Sequence, residues 1–223
     1  MELVPNRQEV LRYLGYHGQN IDAQTESLLS RSTEEIQAAL KPRYTYGIFT
    51  IEKQNNEVFL PECGLALPGK DIARHLSDCQ KAVLLAVTLG IEADNLIRIA
   101  QAESMSRAVV LDAIATDLTE KLCDKAEDEL TILARRENLF LTGRYSPGYG
   151  DLPITVQSRI GEILDTTRKI GLTITEHSLM IPRKSVTAII GFSDKRPKEV
   201  RSCDKCSMKD RCNFKKEGSP CGY

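Results

Sequence analysis

Two stretches of this chain concentrate residues that do chemistry. The first is TGRYSPGYGDLP, Thr142 to Pro153. It holds one arginine, two tyrosines, two prolines and three glycines in twelve residues. Arg144 can fork two hydrogen bonds onto a carboxylate or phosphate. Pro147 and Gly148 fix a turn whose backbone lets a ligand approach closely. Tyr145 and Tyr149 offer ring faces and hydroxyls. Taken alone, this spacing fits a strand-to-helix connection with capping residues better than it fits a site. The second stretch is CDKCSMKDRCNFKKEGSPC, with Cys203, Cys206, Cys212 and Cys221 in a C-x2-C-x5-C-x8-C pattern. Four thiolates at such spacing suit tetrahedral zinc or an iron–sulfur cluster. The basic residues between them lower thiolate pKa and offset the charge of an anionic cluster. A tail with incidental thiols is the plain alternative.

Other candidates carry less. LPGKD, Leu67 to Asp71, has a fragment of a phosphate loop but lacks the full G-x-x-x-x-G-K-[ST] pattern, so it reads as a helix entry. No G-x-G-x-x-G follows a strand, which argues against a Rossmann-type methyltransferase. His17, His75 and His177 stand singly and form no ligand set. The 223 residues carry a net charge of −1, with 41% hydrophobic and 27% charged side chains. Those values are ordinary for a soluble globular chain; the net charge argues neither for nor against nucleic acid, no apolar run is long enough to span a bilayer, and neither partner is expected. The N-terminus MELVPNRQEV has no basic segment followed by an apolar one, so a cytoplasmic location is expected. A reducing cytoplasm disfavours disulfides and favours metal for clustered cysteines.

The elements that must position these residues follow from pattern. Asn6, with Glu9 three residues on, opens a short helix that stops near Gly15. A second helix runs from about Ile21 to Leu40, ended by Pro42. RYTYGIFTIEK alternates as a strand, QNNE turns, and VFLP pairs back. KAVLLAVTLG is a buried strand. From Ile91 the pattern is helical, with one long helix reaching Arg135. Pro153 starts another helix, with Val156, Ile160, Ile163 and Leu164 on one face and Gly171 as terminator. TITEHSLMIP and SVTAIIGFSD read as two strands joined at "RK". The expected fold class is α+β, a twisted antiparallel sheet flanked by helices, with a small cysteine-rich metal-binding tail. The expected division is residues 1–194 as one domain and 195–223 as the tail.

In combination, RYSPGYGDLP, the helix after it and LTITEHSLMIPRKSVTAIIGFSD resemble the activation domain of cobalamin-dependent methionine synthase. The resemblance is strongest over residues 108–194. In that family an R-x-x-x-G-Y loop holds S-adenosylmethionine (SAM), and an M-x-P-x-x-S-V stretch lies near the corrin. Here these are Arg144, Gly148 and Tyr149, then Met180, Pro182, Ser185 and Val186. The site implied by the resemblance comprises Arg144, Tyr145, Pro147, Gly148, Tyr149, Lys184, Ser185 and Val186. Arg144 would pair with the carboxylate of SAM, and Tyr149 would contact its nucleoside or methionine portion. The chain departs from the family at a D-x-x-A-E helix whose glutamate helps bind the ligand. It reads Asp112 to Thr116, with Asp117 following about 100° round the helix. The tail is an addition to the family pattern.

The resemblance implies a stand-alone activation subunit of a methyltransferase system. It would present SAM to cob(II)alamin bound on a separate corrinoid protein, such as a methionine synthase core. Electrons would come from the tail cluster, or from a flavodoxin or ferredoxin. Within that reading a 4Fe-4S cluster is favoured over zinc, because the partner needs low-potential electrons. The alternatives are an iron–sulfur activator that does not use SAM, and a zinc-stabilised interaction module.

Overall fold

The computed structural model describes residues 3–16, 18–54 and 57–196. Its helices are α1 (Arg7–Tyr13), α2 (Ala23–Ala39), α3 (Lys70–His75), α4 (Ile91–Glu103), α5 (Met105–Arg136), α6 (Val156–Leu164) and α7 (Thr166–Ile170). Its strands are β1 (Arg43–Thr50), β2 (Glu52–Gln54), β3 (Glu57–Leu60), β4 (Leu65–Leu67), β5 (Cys79–Thr88), β6 (Phe140–Leu141), β7 (Thr173–Ile174), β8 (Met180–Ile181) and β9 (Ser185–Ser193). The main sheet has the order β1-β5-β9-β6, antiparallel throughout. This is the α+β architecture expected from the sequence.

Strand β5 explains the layering. Its apolar run has no polar face because helices or strands cover both sides. Val83, Leu85 and Val87 enter one core with α5's Leu111, Ile114, Leu118 and Leu122. Leu84 and Ala86 enter a second core with Ile72, Leu76, Ile160 and Ile189. The two-residue alternation of a strand sends neighbours to opposite cores. Helices α1, α2, α4 and α5 contribute to the first core, while α3, α6 and the β2-β3-β4 sheet contribute to the second.

Three expectations required correction. The helical pattern from Ile91 is two helices, broken at Ser104, whose φ of −158° and ψ of 110° are extended. The Ser104 side chain accepts a hydrogen bond from the Arg107 N–H at 3.4 Å and caps α5. The helix after Pro153 breaks at Asp165, which sits in the left-handed region at φ 52° before α7 carries on to Gly171. Finally, the two strands joined at "RK" do not pair with each other. Thr173–Ile174 pairs with Met180–Ile181, while Ser185–Ser193 enters the main sheet between β5 and β6. Its apolar residues are divided between the two cores, which only a central strand can satisfy. The capped α1 agrees with the sequence: Asn6 accepts from the N–H groups of Gln8 and Glu9 at 2.9 and 3.5 Å.

Candidate functional site

The loop of residues 142–153 is placed by a bulge on the outer side of β9. Phe140 pairs with Ser193 and Leu141 with Phe192, but Tyr145 pairs with Ile189. The intervening chain therefore contains one residue too many for a regular ladder, at Gly143–Arg144. After Tyr145 the chain leaves the sheet, and among the described residues no strand covers β9 at Thr187 on that side. Pro147 is buried, whereas Gly148, Tyr149 and Gly150 face solvent. The turn closes through Gly148 N–H to the Leu152 carbonyl at 2.9 Å and Leu152 N–H to the Tyr149 carbonyl at 3.1 Å. Gly148 has φ +92°, a region side chains rarely adopt. At Gly150, a Cβ would run into the Tyr145 hydroxyl and the Asp71 carboxylate. Tyr149 is 69% exposed, so its ring is available for stacking.

Arg144 points at α5. Nη2 lies 2.9 Å from Glu120 Oε2, and Nη1 lies 3.1 Å from Asp124 Oδ1 and 3.2 Å from Glu127 Oε1. The three carboxylates occupy one helix face at four- and three-residue steps. The Glu127 contact is an ion pair whose geometry falls short of a hydrogen bond. Burial raises the Glu127 pKa and Arg144 opposes that shift, while Asp124 and Glu120 add to it. When all are ionised, the cluster is acid-rich.

The same face of α5 continues to Thr116 and Asp112. Lys184 closes over them, with Nζ 2.9 Å from Asp112 Oδ1, 3.1 Å from the Asp112 carbonyl and 2.9 Å from Thr116 Oγ1. The carbonyl and hydroxyl contacts are hydrogen bonds, and the Oδ1 contact is an ion pair. Ser185 Oγ lies 2.8 Å from both Thr88 Oγ1 and the Pro182 carbonyl, and Val186 packs half-buried on the first core. Asp117 is turned away. It is buried and accepts the Asn6 N–H at 2.7 Å, so it serves the start of α1. Along the site's face the neighbouring carboxylates are therefore Asp112, held by Lys184, and Glu120, held by Arg144. An open cleft of 440 Å³ adjoins Lys184, lined by Arg98, Asp112 and Arg183 among others.

The sequence-derived residues fall on neighbouring elements, with Arg144 and Lys184 at successive positions of one α5 face. Tyr145, Pro147, Gly148 and Tyr149 form the loop, Lys184 precedes β9, and Ser185 and Val186 start it. Arg144 and the β9 edge lie between them. Sequence reasoning missed Glu120, Asp124 and Glu127, although their spacing marks one helix face. It also missed Asp151, which caps α3 by accepting the N–H groups of Lys70 and Asp71 at 2.6 and 3.1 Å. Cys203, Cys206, Cys212 and Cys221 lie outside the described residues. Cys63, Cys79 and Cys123 are unbridged. Burial pushes the Cys79 thiol up to about 11 and Cys123 up to about 12, which makes both packing residues at neutral pH. Among the described residues no group of His, Cys, Asp and Glu is arranged to hold a metal, and no helix is long and apolar enough to cross a membrane.

These features define an antiparallel α+β domain with a surface site where a bulged loop meets a stretch of β9 that, among the described residues, has no strand partner on its outer side. Residues 72–213 match the family described as "Vitamin B12 dependent methionine synthase, activation domain", and the chain belongs to that family. The matched region includes the whole loop, β9 and three of the four tail cysteines. Among solved structures, the chain resembles one described as "Crystal Structure of the MetH Reactivation Domain bound to AdoHcy". The TM-score is 0.64 at 17% identity, covering 94% of this chain and 80% of that one. That likeness is one of fold. No curated protein matches the chain.

Proposed function

We propose that this chain is an activation subunit that binds SAM and supports reductive remethylation of cob(II)alamin on a separate corrinoid methyltransferase. The favoured partner is a methionine synthase divided over separate chains. The observation that carries this reading is the Arg144-x-x-x-Gly148-Tyr149 loop, set by its bulge beside the open β9 edge within the family-matched residues. The solved relative is described as bound to AdoHcy, the demethylated form of the proposed ligand.

The residues fit SAM group by group. Asp124 is 53% exposed and 3.1 Å from Arg144, so a ligand carboxylate displaces it at little cost. The acid-rich α5 face suits the α-ammonium and sulfonium charges. Tyr149 offers a ring face to the nucleoside, and the exposed Gly148–Gly150 segment is open to a second bulky cofactor on its solvent side. No acid or base is required of the protein. One electron converts cob(II)alamin to cob(I)alamin, which attacks the sulfonium methyl and leaves S-adenosylhomocysteine. The protein supplies position. We assign Cys203, Cys206, Cys212 and Cys221 a metal-binding role in the tail, with iron–sulfur or zinc as occupant. An iron–sulfur occupant would serve the electron step. With zinc, a flavodoxin or ferredoxin must serve it.

The test is anaerobic. The chain is mixed with a cob(II)alamin-loaded methionine synthase core, SAM and a reductant, and methylcobalamin is followed by its absorption. We expect methylcobalamin with the wild type and at least tenfold less with Arg144→Ala, the loss for one charge-assisted contact. No spectral change with several corrinoid proteins would overturn the proposal.

A further inference from the structure

Helix α3 lies outside the loop yet touches both of its ends. At the helix N-terminus, the Asp151 carboxylate accepts the Lys70 and Asp71 N–H groups. At the other end, His75 Nε2 lies 2.9 Å from the Gly143 carbonyl, immediately before Arg144 at the bulge. The imidazole also packs on Tyr145, with ring centroids 5.2 Å apart and planes tilted by 43°. Tyr145 in turn donates its hydroxyl to the Tyr149 carbonyl at 3.2 Å. Thr142 Oγ1 joins the network, 3.0 Å from His75 Nε2 and accepting the Gly191 N–H of β9 at 2.8 Å. The helix itself cannot slide, because Ile72 and the following Leu76 are fully buried in the second core.

We propose that α3 is a two-ended clamp on the loop, and that His75 is a positioning residue for the ligand held at Arg144 and Tyr149. A bulge has one unpaired residue and is otherwise free to flex. The imidazole N–H, at 2.9 Å, is the closer of two donors to its carbonyl, the Thr142 hydroxyl at 3.2 Å being the other, and so helps set the direction in which Arg144 leaves the backbone. The ring contact transmits the same constraint through Tyr145 to Tyr149. Burial lowers the pKa of His75, so the ring is neutral at pH 7 and can donate from Nε2 without bringing charge into the fold. This inference rests on the loop being the SAM site.

The experiment compares wild type, His75→Ala, His75→Gln and Asp151→Ala. SAM affinity is read by calorimetry, and amide hydrogen exchange of residues 143–152 is read by mass spectrometry. Glutamine carries an N–H at comparable reach. We expect His75→Ala to weaken SAM binding about tenfold and to speed loop exchange by a similar factor, with glutamine restoring both. If His75→Ala does not fold, Asp151→Ala releases the other end of the clamp from a solvent-exposed position and should show the same two effects. Variants that bind and exchange like wild type overturn the inference, as does a glutamine variant no better than alanine. Wild-type protein that takes up no SAM overturns the methyl-donor reading instead, and the exchange rates then decide the clamp alone.

Discussion

Glu127 stands beside Arg144 together with Glu120 and Asp124. It is more enclosed than Asp124 and shares one Arg144 nitrogen with it. Its folded pKa is raised, first by burial. A carboxyl with a raised folded pKa costs stability wherever the folded protein must hold it ionised. The cost is absent below the ordinary carboxylate value of about 4.3 and complete above the folded pKa. Glu127→Gln keeps an oxygen for Arg144 and removes the charge. We expect its Tm at pH 7 to exceed wild type by about 2–4 °C, the shift for roughly 1 kcal/mol in a chain of this size. The difference should vanish as the pH falls towards 4, as thermal melts at several pH values would show. The sequence exposed Arg144 as an anion-seeking side chain. It did not expose the neighbours already held, because the partners lie 17 to 24 residues away on another element. Helix geometry turns Asp117 about 100° from the site position, but only the fold shows that α1 uses it.

At the scale of elements, periodicity located the helices and missed their breaks. Ile91 to Arg135 reads as one amphipathic run because both helices turn apolar faces to one core. Only Ser104, a capping residue in a helical pattern, signals the interruption. That break lets α4 fold back along α5, and their packing frames the cleft beside Lys184. Ser104→Ala removes the acceptor for Arg107 N–H and should cost about 1 kcal/mol. By the same scaling we expect a Tm fall of about 2–4 °C, measured by calorimetry, with SAM affinity unchanged because the cap lies three turns from Thr116. The sheet order was illegible for a related reason. Residue pattern marks Ser185–Ser193 as a strand, yet only the paired register shows it between β5 and β6.

For the whole molecule, the question is which residues are needed to close the fold. Among the described residues, Phe192 is the last side chain in either core and Ser193 makes the last ladder pair, with Phe140. Beyond that point the described chain adds an ion pair between Lys195 and Asp78, 69% and 48% exposed, of the kind that contributes little. Residues 197–223 hold seven basic and four acidic side chains, so removing them takes the net charge from −1 to −4. We therefore expect truncation after Arg196 to leave Tm within about 2 °C of wild type, less than the shift for 1 kcal/mol. SAM binding should persist, because Arg144, Tyr149 and the α3 clamp are all retained. Metal content, measured by elemental analysis of anaerobically purified protein, should fall to background in the truncated chain and in Cys206→Ser. A truncated chain that melts far below wild type would show that the tail is part of the fold, and that the boundary near residue 194 is misplaced. A truncated chain that binds SAM but fails in anaerobic reactivation, where wild type succeeds, would locate the electron step in the tail.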